Sequence, residues 1–441
     1  MIHKLRVLLA LVIFGLASCM GRSATSTMPA VYPQSVKSLS TPIKHVVIIV
    51  QENRSTDYLF HGIRGADVAS YAVDFHGQRV PLLPISLAAP YDLPHGQSAF
   101  IKDYNNGKMD GFDSSFSPAH HLRPFGYAPE SEVKPYHDMA RQYVLADHMF
   151  QTNRGPSFPA HLYLVSGTAG DDTMSGYRVK NNTFDENTGQ ARVGGCGSAP
   201  YIRVDIVSIM NGSEGPPHLP CFERSVLSDF LDEKGVTWRY YQTGKGAGYW
   251  HALDAIDHVR FGKDAQYIIP RSTRILKDAA DGKLADVSWV MPAANWSDHA
   301  SKNGTDRGPA WVAAVVNAVG ESQYWDSTAI LVVWDDWGGW YDHVAPPTRN
   351  FDELGFRVPL LVISPYAKKG YVSKAQHEFG SLLAFVEKTY GIPQGALKTT
   401  DRLSDDLSDC FDFKQSPRPF VPFKAPKFRG SVNQYSYDDD P

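Results

Sequence analysis

Ala329-Ile-Leu-Val-Val-Trp-Asp335-Asp336-Trp-Gly-Gly-Trp-Tyr-Asp342-His343-Val-Ala-Pro-Pro347 opens with a short apolar run and ends in a hard stop. Ile330 to Trp334 reads as a buried strand. Two carboxylates, Asp335 and Asp336, stand where that strand should end, and Gly338-Gly339 then breaks the chain. In an open α/β sheet, ligands gather beyond the carboxyl ends of the strands. Adjacent acids cannot both ionise cheaply once buried, and a bound cation is the simplest remedy. The bland alternative is an Asp-Asp turn on the surface.

Working outward, His45-Val-Val-Ile-Ile-Val50 is a second fully apolar run, of the kind found in parallel sheets. It too ends in polar residues: Gln51-Glu52-Asn53-Arg54-Ser55-Thr56-Asp57. Taken alone, these could simply start a helix capped by Ser55 or Asp57. Further along, Asn153-Arg-Gly-Pro-Ser157-Phe-Pro159-Ala-His161 places Ser157 after a Gly-Pro turn and before a helix. Ser157 is then either an N-cap or a hydroxyl standing among free backbone N–H groups. Strands are also expected at 143–150, 236–241, 287–291 and 357–364, and helices at 135–142, 224–234, 311–319 and 379–390. Strands alternating with helices across 45–391 predict one α/β domain on a mostly parallel central sheet flanked by helices, with loop-rich insertions. The segment 170–222, rich in Gly, Asn and Asp, reads as one such insertion or lid.

The chain has 441 residues, 43 % hydrophobic and 20 % charged, with net charge −4 and no long basic run. That composition supports a large core and gives no sign of a nucleic-acid surface. Residues 1–18 read as a signal peptide: Lys4 and Arg6 precede the apolar run Val7 to Leu16, which is too short to span a bilayer. Leu16-Ala-Ser-Cys19 resembles a lipobox, so Cys19 is expected to carry a lipid. Met20 after it resembles lipoproteins sent to the outer membrane, which predicts an exported, membrane-anchored protein. Residues 20–42 read as a flexible tether, 43–415 as the catalytic domain, and 416–441 as a loosely ordered tail. Of the remaining cysteines, Cys196 and Cys221 lie in loop-like surroundings and are the expected disulfide, leaving Cys410 as the odd thiol.

Five stretches occur in a fixed order: Glu52-Asn-Arg-Ser-x-Asp57, Gly107-x-Met-Asp-Gly-Phe112, Gly155-Pro-Ser-x-Pro-x-His161, Ser297-Asp-His299, and the central Asp335-Asp-x-Gly-Gly-x-Tyr-Asp-His-Val-x-Pro-Pro347. Together they resemble the bacterial phosphoesterase family of phospholipases C and acid phosphatases, which looks like a branch of the alkaline-phosphatase superfamily. The resemblance implies a metal site at Glu52, Asn53, Asp335 and Asp336. It implies a nucleophile at Ser157 and phosphate-side or proton-transfer roles for His95 and His299. A further histidine matches either His251 or His258. His161 and His343 are expected in the scaffold or directly behind the metal ligands, and Asp342 as a cap or an orienting group. Thr56 departs from the Phe usual in the family. Ser157 with Asp335-Asp336 is closer to the acid-phosphatase branch than the Thr and Asp-Glu of many phospholipases.

Phosphoester hydrolysis needs an in-line nucleophile, a cation and a proton donor for the leaving oxygen. Oxygen donors favour one hard divalent ion, Mg²⁺, Ca²⁺ or Mn²⁺. The expectation is a metal-dependent hydrolase of phosphate esters, acid phosphatase-like, passing through a phosphoseryl intermediate. The alternative is a phospholipase C cleaving lipid phosphodiesters. The least favoured alternative is a surface lipoprotein whose site is dead.

Overall fold

In the computed structural model, residues 41–425 are described, apart from 175, 302 and 303. The expected signal peptide, Cys19, most of the tether and the end of the tail lie outside them. Eight strands form the main sheet. In chain order they are β1 (His45–Gln51), β2 (Val144–Ala146), β3 (Trp238–Tyr241), β4 (Ile268–Ile269), β5 (Val287–Val290), β6 (Thr328–Trp334), β7 (Leu360–Ile363) and β8 (Tyr371–Ser373). Their spatial order is β4-β3-β5-β1-β6-β7-β2-β8. All neighbours pair parallel except β7, which runs antiparallel to both β6 and β2. The sheet is therefore mixed but mostly parallel.

The two apolar runs are adjacent. β1 pairs with β6 in register from His45↔Thr328 to Gln51↔Trp334. Every residue of β6, and all of β1 after His45, is buried, as continuous apolar strands in a covered sheet should be. Because the register puts Gln51 beside Trp334, the Glu52-Asn53 and Asp335-Asp336 pairs leave the sheet side by side.

Nine α-helices surround these strands: α1 (Thr56–Phe60), α2 (Gln97–Tyr104), α3 (Glu130–Gln142), α4 (Ser157–Ser166), α5 (Leu227–Glu233), α6 (Asp257–Phe261), α7 (Arg274–Ala280), α8 (Gly308–Gly320) and α9 (Phe379–Tyr390) among the described residues. Packing divides most of them into two groups, α8 with α3 and α7, and α4 with α5 and α9. α3 begins five residues earlier than the sequence suggests, so Pro135 lies inside it rather than opening it. The sequence of α2 carries no clear helical periodicity. A second, smaller apolar cluster forms under the loops, where Met109 and Phe112 pack with Phe100, Phe125, Trp337, Tyr341 and Phe356. The Gly107–Phe112 stretch is thus a packing element.

The insertion carries short antiparallel pairs, Tyr177–Val179 with Ile206–Ser208 and Phe184–Asp185 with Ile202–Arg203. Cys196 and Cys221 are joined, with their Cα atoms 4.6 Å apart. Residues 416–425, read as the start of a loose tail, are docked instead. The Arg418 carbonyl accepts from Trp325 Nε1 at 2.7 Å, Asn317 exchanges hydrogen bonds with the Phe423 backbone, and Phe423 is buried. Phe423 and Phe420, the latter packed on the Trp325 ring at 4.9 Å, outweigh the Pro- and Lys-rich composition that suggested a loose tail.

Candidate active site

Two loops meet where β1 and β6 end. Asn53 adopts φ 59°, a left-handed conformation that Asn tolerates better than most residues. Its backbone N–H donates to Asp335 Oδ1 at 3.0 Å, and its side-chain Nδ2 lies 3.2 Å from Asp336 Oδ1. Gly338 and Gly339 both have positive φ. A Cβ on Gly338 would stand 2.1 Å from the Asn53 carbonyl oxygen, and one on Gly339 2.5 Å from Leu93 Cβ. The Gly-Gly step therefore lets the central loop press against both the Asn53 turn and the loop that carries His95.

The same two loops are tied again further out. Ser55 is the N-cap of α1, and its hydroxyl also donates to the Tyr341 carbonyl at 2.7 Å. Asp57 Oδ2 accepts from the backbone and ring of His343 at 2.8 and 2.7 Å. Arg357 Nε donates to both oxygens of Asp342 at 3.0 and 3.1 Å, and its guanidinium lies 3.5 Å from Asp57. Asp57, Asp342, His343 and Arg357 form a clamp. Asp342 orients and caps: it holds the buried guanidinium and accepts from the Val344 N–H at 2.8 Å. Burial pushes its carboxyl up to about 6 although Arg357 opposes this.

Ser157 is the first residue of α4. Pro156 occupies the N-cap position, so the N-cap reading of Ser157 fails. The expectation of several free amides also needs correction: the Phe158 N–H donates to Asn182 Oδ1 at 2.9 Å, and Pro159 has none. The serine hydroxyl faces the acids. Its Oγ lies 3.4 Å from Glu52 Oε2 and 3.3 Å from Asp336 Oδ2. His161, one helical turn on, sits on the same face of α4. Its Nε2 is 3.1 Å from Glu52 Oε1 and 3.6 Å from Asp335 Oδ2. Of the two places expected for His161, scaffold or directly behind the ligands, it takes the second, and its four-residue spacing from Ser157 carries that signal. Burial raises the Asp335 carboxyl, but the neighbouring His161 outweighs it and holds that acid below the ordinary range.

His95 reaches the same cluster. Its Nε2 lies 3.1 Å from Asn53 Nδ2, and its Nδ1 lies 2.7 Å from the Leu93 carbonyl oxygen. Nδ1–H donates to that carbonyl and Nε2 accepts from the amide. His299 stands edge-on to His95 with ring centroids 6.0 Å apart. Asp92 faces both rings, 3.8 Å from His95 Nδ1 and 4.0 Å from His299 Nε2. Of the two remaining histidines, His258 is half-exposed and paired with Glu223 and Asp229. His251 is buried, and its pKa is lowered by burial and, in part, by the nearby His161. His251 is thus the one beside the cluster. Asp298 lies behind the site, where its Oδ2 accepts from Tyr136 at 2.8 Å and Trp334 Nε1 at 2.9 Å.

Glu52, Asn53, Asp335 and Asp336 are all fully buried. Asp335 Oδ2 and Asn53 Oδ1 lack any hydrogen-bond partner, and ligand atoms of Glu52, His161 and Asp335 lie within 4.8 Å of one another. Buried, unsatisfied oxygens beside several carboxylates suit a hard divalent cation. A cleft of about 1230 Å³ opens beside the cluster, lined among others by Asp92, His95, Arg123, Pro156 and Asn182.

Non-hemolytic phospholipase C of Pseudomonas aeruginosa is 25 % identical, over 86 % of this chain and 59 % of that protein. The chain thus spans less than two thirds of that relative's length. Non-specific phospholipase C1 of Arabidopsis thaliana is 25 % identical over 92 % of this chain and 78 % of that protein. Among solved structures, a protein in the alkaline phosphatase superfamily from Vibrio parahaemolyticus aligns over 83 % of this chain and 70 % of its own, with 11 % identity and a TM-score of 0.38. A profile of the phosphoesterase family matches residues 43–393, and the chain belongs to that family.

Proposed function

We propose that the chain is a metal-dependent phosphoester hydrolase with Ser157 as its nucleophile, acting on phosphomonoesters as an acid phosphatase does. The observation that carries this reading is the approach of a buried serine hydroxyl to Glu52 and Asp336, at 3.4 and 3.3 Å, beside two unsatisfied buried oxygens. One hard divalent ion, Mg²⁺, Ca²⁺ or Mn²⁺, held by Glu52, Asn53, Asp335 and Asp336 would lower the serine pKa and offset charge on the phosphoryl oxygens.

The protein's own groups do the rest. Asp336 and Glu52 stand within reach of the Ser157 proton. His161 fixes the Glu52 carboxylate through its ring N–H. The Ser157 Oγ–phosphorus bond forms in line as the bond to the leaving oxygen breaks. His95, which lines the cleft, or His299, edge-on to it, gives that oxygen its proton from the imidazolium form. The same ring then accepts a proton from the water that hydrolyses the phosphoseryl group.

A second reading, hydrolysis of a lipid phosphodiester, is favoured by the names of the relatives, which are phospholipases C. Only the leaving group differs. Rates on a chromogenic phosphate monoester and on a phosphocholine diester, each with and without chelator, separate the two. A faster monoester rate abolished by chelator supports the first reading, and a faster diester rate supports the second. Activity unaffected by exhaustive chelation removes the metal, and no hydrolysis of either ester removes the enzyme.

Export and anchoring through a lipid on Cys19 belong to the same proposal and rest on Leu16-Ala-Ser-Cys19. Cys19→Ala should release the protein from membranes or block its maturation. A mature amino terminus found by mass spectrometry at another residue, unmodified, would remove that part.

A further inference from the structure

Several groups of ligating side chains lie outside the four proposed metal ligands. Asp57, Asp342 and His343 are neutralised by Arg357, Cys196 and Cys221 are bonded to each other, and Asp92 and His95 line the cleft with His299 against them. The group His377, Asp409 and Cys410 is different. It uses the odd cysteine and lies at the far edge of the sheet, beside β8.

His377 is fully buried. Its Nδ1 lies 2.9 Å from Asp405 Oδ1. Asp405 is itself fixed, accepting from the Ser381 hydroxyl at 2.6 Å and the Leu407 N–H at 3.0 Å. A carboxylate that accepts from one ring nitrogen sets the tautomer and presents the other nitrogen as a ligand, the arrangement found behind metal-bound histidines. The presented nitrogen, Nε2, is 3.6 Å from Asp409 Oδ1, and Cys410 Sγ is also 3.6 Å from that oxygen. A tetrahedral zinc ion with bonds of about 2.0–2.3 Å sets its ligands roughly 3.4–3.6 Å apart. The two pairs that share Asp409 already have nearly that spacing, and all three ligand atoms lie within 4.8 Å of one another.

The hydrogen bonding around Nε2 points the same way. Ser373 Oγ lies 3.1 Å from it but donates its proton to Asp409. With Nδ1–H committed to Asp405, Nε2 meets a serine oxygen and a carboxylate, both acceptors. A cation there satisfies Nε2 and Asp409 together and replaces the thiol proton, which is released to solvent. Ser373, His377 and Asp405 also have the spacing of a nucleophilic triad. Ser373 gives its proton to Asp409 rather than to His377, so the histidine does not stand as its base.

We propose that His377, Asp409 and Cys410 bind a zinc-class divalent ion that clamps the 405–411 segment onto β8. Thiolate and imidazole select such an ion over Mg²⁺ or Ca²⁺, so this site and the oxygen-rich active site take different metals. Asp409 is part-exposed and gives the ion a way in. The segment already follows the edge of the sheet: Ala367 bridges Phe411, and the Lys368 N–H donates to the Cys410 carbonyl at 3.0 Å. A clamp here covers an end strand that would otherwise offer its backbone to another chain.

The test is cobalt titration of the full chain after chelator treatment, read by the near-ultraviolet cobalt–thiolate charge-transfer band. One thiolate-bound equivalent is expected, displaced by Zn²⁺. The band should persist in Cys19→Ala and Asp336→Asn and vanish in Cys410→Ser. Asp405→Asn keeps all three ligands but loses the orienting carboxylate, and should weaken binding by about 10–100-fold. Absence of the band, its survival in Cys410→Ser, or unchanged affinity in Asp405→Asn would overturn the proposal. None of these readouts depends on phosphoester hydrolysis, so the clamp and the hydrolase stand or fall separately.

Discussion

Replacing Ser157 with Ala removes one oxygen and no helix cap, since Pro156 holds the cap position. Ser157→Ala is therefore expected to lower turnover by several orders of magnitude while the melting temperature barely moves. Loss of an N-cap would instead cost about 0.5–2 kcal/mol of stability and leave turnover intact, so steady-state kinetics with a thermal melt separates the two. His161 acts through other residues. Its ring touches Glu52 and Asp335, both proposed ligands, and neither the cleft nor the serine hydroxyl needs it directly. His161→Asn should weaken metal affinity about 10–100-fold, with activity largely recovered at saturating metal. Activity that stays low at saturating metal would show that His161 does more than orient ligands.

At the scale of the element, the site depends on two loops that leave adjacent parallel strands and interlock. Gly338→Ala puts a Cβ 2.1 Å from the Asn53 carbonyl in a backbone with φ 62°. It should cost at least about 1–3 kcal/mol in denaturant unfolding and push Asn53 out of place, lowering activity as well. A variant of native stability would show that the Gly-Gly step is not needed for this contact. These elements also mark how far the sequence could be read. The strands His45–Val50 and Ile330–Trp334, with an acid pair after each, were legible because both are continuous apolar runs cut off by charge. Their pairing was not, since register is a long-range property. The antiparallel turn of β7 left no local trace, because a buried strand reads the same in either direction. The clamp of Arg357 on Asp57 and Asp342 was equally hidden: its partners stand 300 and 15 positions away. His161 was within reach through its helical spacing from Ser157, and Asn182 was not, because its contact with α4 comes from the insertion.

Over the whole molecule, several buried acids hold their protons unusually well. Burial pushes Asp298 up to about 6, Asp352 to about 7 and Glu387 to about 8. Their folded values lie above those of the unfolded chain, so they lower stability as pH rises through about 4 to 8. Asp67, Asp405 and Asp406 are shifted the other way: burial raises them, but their basic partners hold them below the ordinary range, and what they contribute is lost only in stronger acid. Among the histidines, His137 and His251 are lowered by burial, while His258 and His343 are raised by carboxylates that overcome it. The melting temperature should therefore be higher near pH 5.5 than at pH 8, by several degrees. An equal or higher value at pH 8 would contradict that assignment. The central claim, that Ser157 attacks the phosphoryl group, has a more direct test. Turnover of a phosphate-labelled ester is quenched in acid, and the labelled residue is identified by peptide mapping. Label on Ser157 is the expected result; label on any other residue, or undiminished turnover by Ser157→Ala, would contradict the account.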